Sequence, residues 1–179
     1  MTRNISLAFV FLLVATACSQ PAHTSAAAGT TDSTSHVNPF FHASALPYQA
    51  PPFDQIRDGD YQPAIDEGMK QDLAQVEQIA HDTAAPTFDN TYVALERSGA
   101  MLDRVLAVFN AIASANTDPV LQKVQTVEAP ALAAHQDAIY LNDTLYRRLD
   151  AVYRRRASLK LDPESQRLVE VVHHNFVRA

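Results

Sequence analysis

The sequence has few of the residues from which disulfide-rich or loop-rich folds are built. Cysteine occurs once, at Cys18, tryptophan is absent, and only 4 glycines are present, against about 12 expected from average usage. A single cysteine excludes an internal disulfide framework and a multi-cysteine metal site. The scarcity of glycine, together with frequent Ala, Leu, Gln, Glu and Arg in the second half of the chain, favours helices.

The sequence also lacks the motifs of several function classes. The formal net charge of -6 and the absence of a basic run interleaved with aromatic residues argue against nucleic acid as a partner. No HExxH, no G-x-S-x-G and no glycine-rich phosphate loop occurs, so zinc-peptidase, serine-hydrolase and nucleotide-binding chemistry have no motif here. We therefore predict no catalytic and no metal-binding residue in these 179 residues.

The N-terminus has the pattern of an export signal. Arg3 supplies a positive charge, the apolar run from Ile5 to Ala15 is too short to span a bilayer, and small residues lead into Cys18. This matches a bacterial lipobox, in which residues 1–17 are the signal peptide and Cys18 is the lipidated residue. The alternative is an ordinary secretory signal in which Cys18 lies near the cleavage point by coincidence. Both interpretations place the protein outside the cytoplasm, and the first anchors it firmly to a membrane on the periplasmic side, because several acyl chains are attached.

Two segments without helical periodicity follow. Residues 18–37 are rich in Ser, Thr and Ala and predict a flexible linker. Residues 38–65 contain five prolines among large apolar residues, which predicts an ordered but irregular strap. We expect the strap to pack on its own domain, although its aromatic residues could also line a ligand groove.

Helical spacing dominates from Asp60 onward and predicts an all-α fold. Asp60 is a plausible N-cap for the first helix, whose apolar stripe passes through Tyr61, Ile65, Met69, Leu73, Val76 and Ile79. Thr87 and Asp89 are capping candidates for a long second helix with the stripe Tyr92, Leu95, Ser98, Leu102, Val105, Phe109 and Ile112.

Three further helices have N-terminal capping signals. Asp118-Pro119 begins the third helix, with Leu121, Val124, Val127, Leu132, His135 and Ile139 on one face. Asn142 caps the fourth, with Leu145, Leu149 and Val152 inward, and Asp162-Pro163 begins the fifth, with Leu168, Val172 and Phe176 inward. Short connections between these helices predict antiparallel neighbours. The fifth pattern reaches Ala179 without a Gly, Asn or Pro stop signal, so we expect the domain of residues 38–179 to be truncated.

The polar residues that could carry chemistry have structural explanations. His173 and His174 are adjacent, so on a helix their side chains diverge by about 100° and cannot readily share one ion. His135 lies on an apolar face and is expected to be a core or interface histidine, and His81 suits the end of the first helix. Acidic pairs such as Asp58 with Asp60 and Asp66 with Glu67 are typical of solvated helix faces. The basic run Arg147-Arg148 and Arg154-Arg155-Arg156 is expected to form an exposed helix face, with a peptide carboxylate or anionic lipid as the alternative partner.

Specific strings carry more information than the periodicity. The strings are NPFF (38–41), LPYQAPPFDQI (46–56), DYQPAIDEGM (60–69), PTFDNTYVALERSG (86–99), ANTDP (115–119), APALAAHQDAIYLN (129–142) and LDPESQRLVE (161–170). In their order and spacing they resemble the N-terminal region of the bacterial peptidyl-dipeptidases, which belong to the thimet oligopeptidase family of zinc metallopeptidases. These strings cover the scaffold and none of them is catalytic.

The resemblance implies a longer, almost entirely helical protein with two lobes around a deep channel. In that family zinc is held by the two His of HExxH and a Glu from a following helix, and those ligands are absent from this chain. The implied reaction is hydrolysis of oligopeptide substrates with release of C-terminal dipeptides, with an endo-acting oligopeptidase as the close variant. The implied role of residues 38–179 is part of the channel wall. The alternative is a non-catalytic helical lipoprotein that binds a peptide or a partner.

Overall fold

The computed structural model describes residues 36–179. The predicted signal peptide, Cys18 and all of the predicted linker except His36 and Val37 lie outside the described residues. Within residues 36–179 the regular structure is entirely helical and no β-strand occurs, which confirms the predicted all-α fold. No helix in this part of the chain is long and apolar enough to cross a bilayer.

Six α-helices follow one another in the described part of the chain. They are α1 (Asp58–Ala80), the single turn α2 (Ala94–Glu96), α3 (Ala100–Ala115), α4 (Pro119–Tyr140), α5 (Asp143–Tyr153) and α6 (Pro163–Arg178). A π-helical turn, Phe88–Val93, leads directly into α2. Short 3₁₀ turns occur at Pro39–Phe41, Pro47–Gln49 and Arg156–Ser158.

The helix starts follow the predicted capping residues in four of five cases. Asp118, Asn142 and Asp162 each accept backbone N–H groups from the first turn of α4, α5 and α6. Thr87 accepts the N–H of Asn90, at 3.1 Å, at the start of the π-helical turn. The fifth prediction was wrong in position: α1 begins at Asp58, and the Asp60 carboxylate accepts the N–H of Arg57 at 2.7 Å from inside the first turn.

The predicted long second helix is interrupted. Gly99 adopts a left-handed conformation, with φ of 69°, and separates α2 from α3. This conformation is strained for residues that carry a Cβ and costs glycine little. The Gly99 N–H donates to Gln75 Oε1 at 2.9 Å, so α1 holds the break in place.

Two apolar cores lie along α1. The first joins the N-terminal half of α1 to α3, α4 and Phe40, and its largest members include Tyr61, Ile65, Phe109 and Leu121. The second joins the C-terminal end of α1 to the π-helical turn, α5 and α6, through Val76, Tyr92, Leu145, Leu149, Val152 and Val169. Because α1 contributes buried residues to both cores, it connects the two halves of the molecule, and the end of α4 adds Ile139 and Tyr140 at the edge of the second core.

The strap is attached near its start, where Asn38 Nδ2 donates to the Asp60 carbonyl at 2.8 Å and Phe40 is buried. Phe40 is buried against Tyr61, with ring centroids 5.5 Å apart, and its carbonyl accepts a hydrogen bond from Arg104 Nη2. Leu46, Tyr48 and Phe53 are exposed. The irregular strap ends where α1 begins at Asp58, and of its large apolar residues Phe40, Phe41, Leu46, Tyr48 and Phe53 only Phe40 is buried, so the expectation that they pack on the domain was wrong for the other four.

Candidate functional site

A carboxylate and a histidine meet inside the helical bundle. Asp72 of α1 and His135 of α4 bring Oδ2 and Nε2 to 3.1 Å, and each side chain is only 9% exposed. His135 is thus an interface histidine between α1 and α4, as its place on an apolar face predicts. The Asp72 carboxyl group also lies directly over Gly99, where a Cβ would come within 2.9 Å of Asp72 Cγ.

This buried pair has unused hydrogen-bonding capacity. Asp72 Oδ1 has no hydrogen-bond partner among the described residues, and the approach of His135 Nε2 to Asp72 is too poorly aligned to form a good hydrogen bond. Buried polar atoms are nearly always paired in folded proteins, so these two atoms require an explanation.

Both side chains line an open groove between α3, α4 and α6. The groove has a volume of about 690 Å³. Its walls are mostly apolar, formed by residues that include Leu102, Leu106, Leu132, Ile139, Val171 and Val172. Asp72, Glu96 and Asp103 supply three acidic groups, and no Lys or Arg of the described chain lines it. We call this surface the α3–α4–α6 groove.

The adjacent histidines of α6 do not act together. His173 Nε2 lies 3.2 Å from Asp150 Oδ1, and its ring stacks on Tyr153 with centroids 3.7 Å apart. His174 is exposed and its Nε2 is 3.5 Å from Arg178 Nη1. The predicted divergence of these two side chains is confirmed.

The described residues do not fit a zinc ion. No group of three His, Cys, Asp or Glu side chains in residues 36–179 is arranged to hold a metal. His135 and His173 each face one aspartate only, and their helices place them apart.

A second buried carboxylate lies between α1 and α4. Glu128 is 2% exposed, and its Oε2 has no partner in the described part of the chain. Burial raises the pKa of the Glu128 carboxyl, and the negative charge of Asp66 raises it further, whereas a hydrogen bond from Gln62 acts in the opposite direction. Glu128 occupies the inward position next to Val127, which is 42% exposed, so the prediction that Val127 faces inward was wrong.

The basic run does not form one exposed face. Arg147 is exposed and pairs with Asp143, but Arg148 is buried. Arg148 Nη1 donates to the carbonyls of Asp82 and Ala84, at 2.6 and 3.0 Å. The prediction of an exposed face was therefore wrong for Arg148, which ties α5 to the loop after α1.

Sequence reasoning missed Asp72. The residue follows Met69 by three positions and precedes Val76 by four, so it falls on the buried stripe of α1. A carboxylate at such a position was the available signal, and the predicted stripe passed through Leu73 instead.

Comparison with known proteins identifies relatives for most of the chain. No protein-family profile matches it. Over 143 residues the chain is 50% identical to a "Dipeptidyl carboxypeptidase" of Salmonella typhimurium (strain LT2) and equally to one of Escherichia coli (strain K12). The match covers 80% of this chain and 21% of each relative. The family resemblance carried by the sequence strings is thus confirmed: over four fifths of its length this chain is similar to two dipeptidyl carboxypeptidases, and it spans about a fifth of their length.

Proposed function

We propose that this chain is the N-terminal helical part of a peptidase that releases dipeptides from the free C-terminus of oligopeptides. The observation that carries the proposal is the 50% identity over 143 residues to two dipeptidyl carboxypeptidases. Identity at this level over a continuous helical domain supports a shared scaffold, and the name of the relatives supports the reaction.

The role proposed for residues 38–179 is structural support of the substrate channel. The described residues combine two well-packed cores with a surface groove and hold no fitting metal site. We infer that zinc, which the resembled family carries, is bound by sequence outside residues 36–179.

We further propose that the protein is exported and held at the periplasmic side of a bacterial membrane through lipid on Cys18. The support is the short apolar run that ends in small residues before Cys18. A Cys18→Ala variant is expected to move from the membrane fraction to the soluble fraction, whereas Ser19→Ala stays with the membrane. Mass spectrometry of the N-terminal peptide provides the direct readout, and an unmodified Cys18 in membrane-associated protein contradicts the proposal.

The decisive test of the activity uses the full-length gene product. Purified with zinc, it is expected to release C-terminal dipeptides from oligopeptides that have a free carboxyl terminus, and C-terminally amidated copies are expected to resist. The 179-residue chain, treated in the same way, is expected to release none, because its described residues hold no fitting metal site. An inactive full-length protein, or a reading frame without HExxH downstream, contradicts the proposed function.

A further inference from the structure

The α3–α4–α6 groove is an apolar surface that no element of the described residues covers. Its apolar wall residues fall at helical spacing: Leu132 and Ile139 lie on α4, and Leu168, Val171 and Val172 lie on α6. Rows of side chains three and four residues apart form the ridges and grooves against which another helix packs. The C-terminal half of α4, residues 129–140, contains no fully buried residue, so this helix is only half covered.

The polar groups of the groove indicate the charge of a helix that would pack there. Asp72, Glu96 and Asp103 place three carboxylates around the apolar walls, without a Lys or Arg from the described chain. The side chain of Asp72 is more than nine-tenths buried, and its Oδ1 is unpaired in the described structure. That oxygen has almost no accessible surface, so the carboxylates that an incoming charged donor can reach are those of the exposed residues Glu96 and Asp103. The complementary group is therefore a Lys or Arg side chain.

The relatives indicate where such an element comes from. This chain matches 21% of their length, so in a full-length protein of similar size about four fifths of the polypeptide lies elsewhere. Some of that polypeptide has to cover apolar surface of this segment, because contiguous exposed apolar patches are uncommon on folded proteins.

We propose that the α3–α4–α6 groove is the docking site for an amphipathic helix of the remaining polypeptide, whose apolar face packs on α4 and α6 and whose Lys or Arg side chain binds Glu96 or Asp103. This inference rests on the proposed function only in requiring the longer protein. Its test does not depend on peptidase activity.

The test measures how fast a cysteine in the groove reacts with a maleimide. Val171 lies in the groove and is 38% exposed, and Val127 lies outside it and is 42% exposed. Val171→Cys and Val127→Cys are therefore matched in residue type, helical setting and exposure. Labelling of each introduced cysteine is quantified by peptide mass spectrometry in the 179-residue chain and in the full-length protein.

In the 179-residue chain the two cysteines are expected to react at similar rates. In the full-length protein the Val171→Cys site is expected to react at least about tenfold more slowly, and the Val127→Cys site to stay within about twofold of its rate in the short chain. Equal reactivity of the Val171→Cys site in both proteins overturns the proposal, and so does equal protection of both sites, since the covering element is then not specific to the groove.

A charge variant tests the predicted chemistry of the occupant. Glu96→Lys adds a positive charge to the groove of the full-length protein and is expected to restore labelling of the Val171→Cys site several-fold. Asp137→Lys, on an exposed position of α4 outside the groove, is expected to have no such effect. If Glu96→Lys leaves the protection of the Val171→Cys site unchanged, the occupant does not carry a basic side chain at this place.

Dipeptide release is assayed on the same samples, which separates this inference from the proposed function. A protected groove in an inactive protein rejects the proposed function alone, and an open groove in an active protein rejects this inference alone.

Discussion

Two buried polar residues of this chain have opposite effects on the free energy of unfolding. Glu128 is desolvated and leaves one carboxylate oxygen unpaired, whereas Arg148 is also buried and leaves Nε unpaired but donates through Nη1 to two backbone carbonyls. A buried polar group costs free energy when it lacks a partner and stabilises the fold when it is paired. The two residues therefore make opposite predictions on substitution.

Glu128→Gln is expected to raise the free energy of unfolding at neutral pH by about 1 kcal/mol, because it removes a buried charge while keeping the shape of the side chain. The folded-state pKa of Glu128 lies above its ordinary value of 4.5. The contribution of the protonated Glu128 side chain to stability is therefore fully present below pH 4.5 and is lost as the pH rises through the folded-state pKa. The advantage of the variant is accordingly greatest at neutral pH and disappears in acid, as urea unfolding at several pH values can show.

Glu67 provides the control of opposite sign. Hydrogen bonds from Gln71 and Lys70 lower the pKa of the Glu67 carboxyl, so its charged form is favoured in the folded state. Glu67→Gln is expected to lower stability slightly at neutral pH and to have no effect in acid. The same pH dependence for both variants would show that the Glu128 effect does not arise from burial.

Arg148→Ala is expected to lower the free energy of unfolding by about 2 to 3 kcal/mol, because the carbonyls of Asp82 and Ala84 lose a charged donor. The neighbouring Arg147→Ala removes an equal charge from an exposed i,i+4 pair with Asp143 and is expected to cost less than about 0.5 kcal/mol. Thermal or urea unfolding of the two variants measures the difference. Similar losses from both would mean that the loop after α1 does not depend on Arg148.

At the scale of elements, helix starts were predictable and interruptions were not. Asp118, Asn142 and Asp162 cap their helices through hydrogen bonds to residues two or three positions ahead, so the sequence alone contains the whole interaction. The break at Gly99 depends on Gln75 and Asp72 of another helix, and the apolar spacing continues across it. The groove and the Asp72–His135 contact were missed for the same reason, because they exist only once α1, α3, α4 and α6 are assembled.

The contact between α1 and α3 is close enough to require a glycine. At Gly68 a Cβ would lie 2.9 Å from the Cα of Leu102, a backbone atom that cannot move aside independently. Gly68→Ala is therefore expected to force α1 and α3 apart and to lower the free energy of unfolding by about 1 to 3 kcal/mol, despite the better helix propensity of alanine.

Gly59→Ala supplies the matched substitution on the same helix. A Cβ at Gly59 has nothing within 4 Å, so this change is expected to be neutral or to stabilise by up to about 1 kcal/mol through helix propensity. Urea unfolding of both variants separates packing from propensity, because both changes add one methyl group to α1. A stabilised Gly68→Ala protein would contradict the tight α1–α3 contact.

At the scale of the whole molecule, α1 determines whether the two cores act as one. Its N-terminal half contributes Tyr61 and Ile65 to the first core, and its C-terminal end contributes Val76 and Ile79 to the second. A continuous helix that loses packing at one end loses support for its remaining turns, because helices of this length are marginal in isolation. The two cores are therefore expected to unfold in a single cooperative transition.

Leu121→Ala in the first core and Leu149→Ala in the second test this coupling. Both side chains are fully buried, so each change is expected to lower the free energy of unfolding by about 2 to 5 kcal/mol. Hydrogen exchange, followed by mass spectrometry on peptides from α3 and α5, reports each core separately. Either substitution is expected to accelerate the slowest exchange in both peptides by the same factor, since those amides exchange only through global unfolding. Acceleration confined to the core that carries the substitution would show that α1 links two independently folding halves.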